Sequence, residues 1–172
     1  MSVIETERLA LRRLGVEDAE FIRELLNEPS FIENIGDRGV RTAEDACRYI
    51  LNGPVMSYDR LGFGLYLVEL KETGEAIGIS GLLKREALED VDIGFAFLPK
   101  FWGKGYAYES AAAVMEYGRN VLGIKRIVAV TATHNEASMR VLRKIGLRFE
   151  RMVRMSGDGK ESRLFVPEAE VD

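Results

Sequence analysis

A glycine-lysine-glycine turn joins a strand-like segment to a helix-like segment in the middle of the chain. The segment VDIGFAFL (91–98) alternates bulky residues with small or polar ones, and SAAAVMEYGRNVL (110–122) spaces its apolar residues as a helix does. Between them Gly103 and Gly105 flank Lys104. Glycine costs chain entropy and is kept where the backbone bends sharply or comes very close to another group. The turn therefore predicts that a strand leads directly into a helix, and that the backbone of the turn lies very close to another group.

The composition predicts one globular domain, residues 1–172. Hydrophobic residues make up 47% of the chain, but no apolar run reaches the roughly 18 residues of a membrane span, so no membrane partner is expected. The charged N-terminus argues against a secretory signal, and the single cysteine, Cys47, fits a reducing cytoplasm and a small buried apolar role. A net charge of −4 argues against nucleic-acid binding, and a single histidine argues against a metal site.

The hydrophobic pattern predicts an α/β fold, a mixed sheet with helices packed on its faces, in the order β-α-α-β-β-β-α-β-α-β-β. Strands are predicted at 8–14, in a hairpin at 64–84 that turns at 71–74, at 91–98, at 126–133, and in two last segments, 147–156 and 161–167. Helices are predicted at 16–28, 42–53, about 105–121 and 135–146. The third helix carries one apolar stripe, formed by Ala107, Ala111, Val114, Gly118 and Val121. A tight turn is predicted at Gly157-Asp158-Gly159, and the acidic tail PEAEVD is expected to fray.

Three interpretations of the glycine turn compete. It is a plain strand-to-helix turn, a nucleotide-type phosphate loop, or a pyrophosphate site for coenzyme A. The Walker pattern and the G-x-G-x-x-G pattern are both absent, which disfavours the second. The unpaired N–H groups and positive dipole end of a following helix, together with Lys104, favour an anion site over a plain turn. The small residues Gly94 and Ala96 on one face of the preceding strand leave room for a ligand near the sheet.

Four segments follow one another along the chain: ETERLALRRL, GVEDAEFI, DIGFAFLPKFWGKGYAYES and NEASMRVLRKIGL. In this order they resemble the GNAT N-acetyltransferases, in the branch of the ribosomal-protein N-terminal acetyltransferases. The segment WGKGYA (102–107) matches the acyl-CoA motif [QR]-x-x-G-x-[GA] at Gly105 and Ala107. Trp102 departs from the Gln or Arg of that motif, a departure that is typical of this branch.

The resemblance implies the GNAT acyl-CoA N-acyltransferase fold with acetyl-CoA as cosubstrate, bound where the strands 91–98 and 126–133 part. Pantetheine would lie beside the strand end at Phe97 and Leu98. The backbone of Gly103, Lys104, Gly105, Tyr106 and Ala107 would hold the pyrophosphate. A backbone N–H near Phe97 would stabilise the oxyanion of the reaction. The resemblance implies no metal.

Two residues at the start of the helix 135–146 are candidates for the active site. Ser138 is the candidate proton donor to the leaving thiolate, because the resemblance places a serine near the sulfur. Asn135 is the candidate pantetheine contact, although Asn is also among the best helix N-caps and one residue can do both. Related enzymes often use a tyrosine as the acid, and this helix has none.

The general base has several candidates. Asp92, on the small-residue face of its strand, and Glu109 match acidic positions of the branch. Glu109 is also explained by the preference of helix first turns for acids. His134 is the only histidine of the chain, and histidine is a common proton-transfer residue, but His134 is more simply a solvated loop residue. A water relay is the remaining alternative. Arg140 and Lys144 are interpreted as solvated helix charges that can approach an adenosine phosphate.

The sequence therefore predicts a cytoplasmic acetyl-CoA-dependent N-acetyltransferase, as a monomer or homodimer. The rivals are a non-catalytic CoA-binding module and a nucleotide-binding protein. The acceptor is a small amine or a protein N-terminus, and the region 28–63 is expected to form much of its wall. Acidic and basic residues nearly balance in that region, which favours an α-amine over a lysine side chain or a polyamine. A GNAT enzyme that acts on a polyamine or an antibiotic is the alternative.

Overall fold

The computed structural model describes residues 1–155 and 159–168. The strands are β1 (Ser2–Glu5), β2 (Leu9–Arg13), β3 (Leu65–Leu70), β4 (Ala76–Leu83), β5 (Val91–Phe97), β6 (Ile127–Ala132), β7 (Leu147–Arg154) and β8 (Glu161–Pro167). The α-helices are α1 (Ala19–Leu26), α2 (Pro29–Asn34), α3 (Ala43–Ile50), α4 (Met56–Leu61), α5 (Tyr106–Asn120) and α6 (Glu136–Lys144). Turns of 3-10 helix precede α1 and α5, and a π-helical stretch, Leu51–Val55, leads into α4.

The strands form one sheet in the order β1-β2-β3-β4-β5-β6-β8-β7. Neighbouring strands are antiparallel except β5 and β6, which are parallel. Each of these two strands runs directly into a helix, so that α5 follows β5 and α6 follows β6. The predicted mixed α/β sheet is confirmed.

Helices cover the sheet on both sides. On the side that we call the front face, α1 and α3 bury Ile22 and Ile50 against Leu67 of β3. On the opposite side, the back face, α5 and α6 bury Val114 and Met139 against the central strands. The apolar residues of α1, Ala19, Ile22, Leu25 and Leu26, recur at helical spacing and are all buried. A capping box begins α3, since Thr42 and Asp45 exchange hydrogen bonds of 3.0 and 3.1 Å.

The structure corrects several predicted boundaries. The predicted strand 8–14 is present as β2, and β1 precedes it as a strand that was not predicted; Thr6 turns the chain between the two by accepting the Leu9 N–H at 3.0 Å. The helices α2 and α4 were not predicted, since six residues are too few to show a helical period. Val121 is 67% exposed, because α5 ends one residue before it. The predicted turn through Gly157 and Asp158 and the end of the predicted frayed tail lie outside the described residues.

Candidate active site

The two parallel strands at the centre of the sheet pair only at one end. Val91 pairs with Ile127 and Asp92 with Val128, and beyond these two pairs β5 and β6 separate. On its other edge, β6 pairs with β8 from Ala129 to Ala132. Residues 94–96 are only half-buried although they lie in the middle of a central strand. The sheet therefore contains a V-shaped gap that opens toward the carboxyl ends of β5 and β6, where open α/β sheets place their ligands.

The register of β5 determines which backbone groups line this gap. Leu98 donates its N–H to the carbonyl of Ile77 at 3.0 Å, so its amide is directed to β4. Because backbone groups alternate sides along a strand, Ala96 also bonds toward β4, whereas Phe95 and Phe97 direct their N–H and C=O groups into the gap. Buried backbone groups need partners, so these peptides are a natural edge for an amide-containing ligand.

The side chain of Trp102 meets the end of β5. Its indole Nε1–H donates to the carbonyl of Phe97 at 2.9 Å, across the 3-10 turn Pro99–Phe101. This contact uses one of the gap-facing groups and leaves the N–H of Phe97 directed into the gap. The departure from Gln or Arg at this motif position thus has a structural role that the sequence did not reveal.

The glycine loop has the conformation that the sequence predicted. Gly103 and Gly105 have φ of +75° and +84°, a left-handed region that other residues rarely adopt. A Cβ on Gly103 would meet nothing within 4 Å, so the surface of the loop is open at that point. Gly105 is the N-cap of α5, and Tyr106 and Ala107 form the first turn of that helix. The loop therefore presents backbone N–H groups at a helix N-terminus beside the open end of the gap.

The first turn of α6 lies at the end of β6, on the other side of the gap. Asn135 caps the helix, because its Oδ1 accepts the Ser138 N–H at 3.2 Å. The capping interpretation of Asn135 is confirmed, and its contact with pantetheine stays a prediction. Ser138 is half-buried, and the cap uses its backbone N–H rather than its hydroxyl. The hydroxyl of Ser138 therefore remains available for a role in the gap.

Asp92 lies at the closed end of the gap, where its carboxylate is 1% exposed. Arg85 donates two hydrogen bonds to it, one of them from Nε at 3.3 Å. Burial raises the pKa of Asp92, and the hydrogen bonds and charge of Arg85 offset only part of that effect. A catalytic role for Asp92 stays a prediction, but these contacts favour a structural ion pair.

Glu109 is held by the turn between β1 and β2. It accepts hydrogen bonds from Thr6 Oγ1 at 2.6 Å, from the Arg8 N–H at 3.0 Å and from Arg8 Nε at 2.7 Å. Desolvation opposes its ionisation, but these hydrogen bonds together outweigh it and lower the pKa of Glu109. An ionised carboxylate with three donors is a poor general base, so the contacts favour the structural interpretation. Sequence reasoning missed Arg8, because nothing local links it to a helix that begins about a hundred residues later.

The remaining candidates lie at the periphery. His134 is exposed, and its Nε2 is 3.8 Å from a carboxylate oxygen of Glu33 of α2. Lys144 lies over the ring of Tyr108, 5.5 Å from its centroid, and Arg140 is exposed. Cys47 is a free, half-buried thiol that packs against the front-face core.

Neither a metal-binding cluster nor a membrane-spanning helix is found within residues 1–155 and 159–168. In these ranges no cluster of three or more His, Cys, Asp or Glu side chains is arranged to hold a metal ion. No helix in the same ranges is long and apolar enough to span a membrane.

Comparison with known proteins gives a consistent result. Residues 8–148 match the family model described as "Acetyltransferase (GNAT) domain". The chain is 31% identical over 153 residues to the uncharacterized N-acetyltransferase YoaA of Bacillus subtilis, covering 88% of this chain and 86% of that protein. Its fold matches RimL, a ribosomal alpha-N-protein acetyltransferase in complex with coenzyme A, with a TM-score of 0.83, 19% identity and complete coverage of both chains. It also matches a spermidine N-acetyltransferase SpeG chimera from Vibrio cholerae and hSSAT, with a TM-score of 0.73, 17% identity, and coverage of 92% of this chain and 94% of that one.

Proposed function

The chain belongs to the GNAT acetyltransferase family, and we propose that it transfers the acetyl group of acetyl-CoA to the α-amine of a protein N-terminus or of an amino-acid-like small molecule. The observation that carries this proposal is the gap between β5 and β6, which opens between the glycine loop and the first turn of α6. The free thiol of Cys47 fits the reducing cytoplasm that we propose as the compartment.

The backbone at the gap fits acetyl-CoA in two places. The gap-facing N–H and C=O groups of Phe95 can pair with a pantetheine amide as a neighbouring strand would. The N–H groups from Gly103 to Ala107, at a helix N-terminus with left-handed glycines, suit a pyrophosphate. Lys104 is exposed and adds a positive charge to that surface. Leu98, whose amide is directed to β4, contributes packing rather than a hydrogen bond.

The thioester supplies an activated acetyl group with a thiolate leaving group of ordinary thiol pKa, about 8.5. The N–H of Phe97 is directed into the gap, and we propose that it donates to the carbonyl oxygen of the acetyl group as negative charge develops there. Asn135 orients the first turn of α6. The amine attacks the thioester carbonyl, and the C–S bond breaks once the C–N bond has formed. The hydroxyl of Ser138 passes a proton to the departing sulfur, while a water relay returns to that hydroxyl the proton that the amine loses.

Replacing Ser138 by alanine tests this assignment. The cap of α6 uses the backbone N–H of Ser138, so Ser138→Ala should leave the helix and the affinity for acetyl-CoA unchanged. A donor that is used only as the thiolate leaves should lower kcat, and we expect a loss of about tenfold or more. The measurements are the release of free thiol at saturating substrates and the Kd of CoA. Glu136→Ala, an exposed change in the same turn, is the matched control, and an unchanged kcat in Ser138→Ala would remove this residue from the mechanism.

The charges of the region 28–63, which we expect to form much of the acceptor wall, favour one class of acceptor. In the region 28–63, Arg41 pairs with Asp37 at 2.5 Å and Arg48 with Asp45 at 2.6 Å, so much of its charge is already neutralised. A polyamine calls for a concentrated acidic pocket, which paired charges do not provide. An α-amine has a pKa of about 7.7–8.0, so an appreciable fraction is neutral near pH 7 and a weak base or a water relay is enough.

A competition assay decides between the acceptor classes. The protein is given acetyl-CoA with equal concentrations of a peptide with a free N-terminus, free amino acids, spermidine and an aminoglycoside, and the acetylated products are quantified. We expect the α-amines to take most of the acetyl groups. The same peptide with its N-terminus blocked and one free lysine side chain is the control for amine position. Preferential acetylation of spermidine would contradict the α-amine proposal while leaving the acetyltransferase activity intact.

A further inference from the structure

The turn between β1 and β2 places an arginine directly against the glycine loop. Arg8 Nη1 donates to the carbonyl of Lys104 at 3.0 Å, and its guanidinium carbon lies 4.5 Å from the centroid of the Tyr106 ring. Its Nη2 is 3.3 Å from the position that a Cβ would occupy on Gly105. One side chain from the start of the chain thus contacts three consecutive residues of a loop about 96 positions away.

The guanidinium is fixed in this orientation by Glu109. The carboxylate accepts from Arg8 Nε at 2.7 Å and from the Arg8 backbone N–H at 3.0 Å, and Thr6 Oγ1 donates to it at 2.6 Å. Because Glu109 belongs to the first turn of α5, the same helix end carries both the glycine loop and the group that orients Arg8. The planar fork of arginine can make these contacts simultaneously, whereas a lysine ammonium cannot.

The contact with Lys104 fixes one peptide plane. The carbonyl of Lys104 and the N–H of Gly105 belong to the same planar trans peptide, so they point in opposite directions. Holding the carbonyl against Arg8 therefore directs the Gly105 N–H away from Arg8. Glycine at φ +84° would otherwise leave this peptide free to rotate, since glycine populates many backbone conformations.

We propose that Arg8 is a positioning residue for the cosubstrate site, which sets the direction of the Gly105 N–H toward the pyrophosphate of CoA. This inference rests on the proposed use of the glycine loop for that pyrophosphate. The positive charge of Arg8 is balanced by Glu109, so Arg8 acts through the geometry of its hydrogen bonds rather than as an added cation. Arg8 should therefore affect the binding only of ligands that carry the phosphates.

The test compares two acetyl donors and two substitutions. Arg8→Gln removes the fork and the charge, and Arg8→Lys keeps the charge but loses the fork. Removing a charge-assisted hydrogen bond should raise the Kd of CoA, measured by calorimetry, and the KM of acetyl-CoA about tenfold in both variants. The KM of S-acetylpantetheine, which lacks the phosphates, should stay unchanged, as should kcat. Arg23→Gln, which removes an exposed ion pair with Glu20 on α1, is the control.

The outcomes separate this inference from the proposed function. A CoA affinity in Arg8→Lys equal to that of the wild type would overturn the inference, because charge alone would then suffice. An equal rise in KM for both donors would also overturn it, because a general loss of structure would explain both. The melting temperature without ligand shows whether a variant has folded. Wild-type protein that binds CoA but releases no thiol with any amine would refute the proposed function alone, since the Kd comparison among the variants would still test Arg8.

Discussion

Gly105→Val is expected to abolish the rise in melting temperature that acetyl-CoA produces in the wild-type protein. A ligand at 100 times its Kd stabilises the folded state by about 2.7 kcal/mol, which corresponds to a rise of roughly 5–10 °C for a domain of this size. Gly105 has a φ of +84°, and a β-branched residue there is strained by about 1–3 kcal/mol. Its Cβ would also lie 3.3 Å from Arg8 Nη2. The loop must therefore rearrange, and its N–H groups lose the alignment that the pyrophosphate needs.

A matched glycine separates strain from binding in this experiment. Gly123 follows the other end of α5, has a φ of +70° and has nothing within 4 Å of an added Cβ. Gly123→Val should therefore lower the melting temperature without ligand but keep the ligand-dependent rise. The measurement is thermal unfolding of each variant with and without acetyl-CoA. A wild-type-like rise in folded Gly105→Val would show that the phosphate loop lies elsewhere.

Local patterns in the sequence predicted the central part of the fold and of the candidate site. The strand 91–98, the glycine loop and the helix after it are adjacent in the chain, so their residue types report their conformations directly. The same holds for the cap at Asn135, whose side chain bonds a backbone group three residues away. The parting of the two parallel strands was implied by the family resemblance and not by a local pattern, and the register of β5 and β6 has that form.

Contacts between distant segments could not be predicted in this way. Trp102 was identified as a departure from a motif, but its bond to Phe97 depends on how the 3-10 turn folds back. The role of Arg8 depends on the placement of β2 near the start of α5, and a single sequence holds no signal for such proximity. Asp92 was interpreted as catalytic from the small-residue face of its strand, while its partner Arg85 lies in a loop whose path the sequence does not determine. Tertiary placement, rather than residue type, decides these three cases.

Arg85→Met is expected to lower the stability of the fold substantially, because it removes one partner of the ion pair at the closed end of the gap. Asp92 is buried at 1% exposure, and Arg85 compensates its charge. Removing one partner of a buried pair typically costs 3–5 kcal/mol. Arg85 is itself 36% exposed, so we expect a loss near the lower end, about 3 kcal/mol at pH 7. The measurement is the free energy of unfolding by urea, with Arg23→Met on the surface of α1 as a control that should change it by less than about 1 kcal/mol.

The sign of the pH dependence follows from the direction of the pKa shift. Burial already raises the pKa of Asp92 above its ordinary value, and the loss of Arg85 should raise it further. A carboxyl whose pKa is higher in the folded state stabilises the fold fully below its unfolded pKa, and this contribution is lost as the pH rises through the folded pKa. The deficit of Arg85→Met relative to the wild type should therefore be largest near pH 7 and shrink as the pH falls toward 4.

A double variant and an activity measurement test the role of Asp92. Arg85→Met combined with Asp92→Asn has no buried carboxylate, so its stability relative to the wild type should not fall between pH 4 and pH 7 as that of Arg85→Met does. A stability deficit of Arg85→Met that is equal at both pH values would contradict the ion-pair account.

The kcat of folded Asp92→Asn distinguishes the two roles of Asp92. Loss of a structural carboxylate leaves kcat near the wild-type value, whereas loss of a general base would lower kcat by about 10²–10⁴-fold.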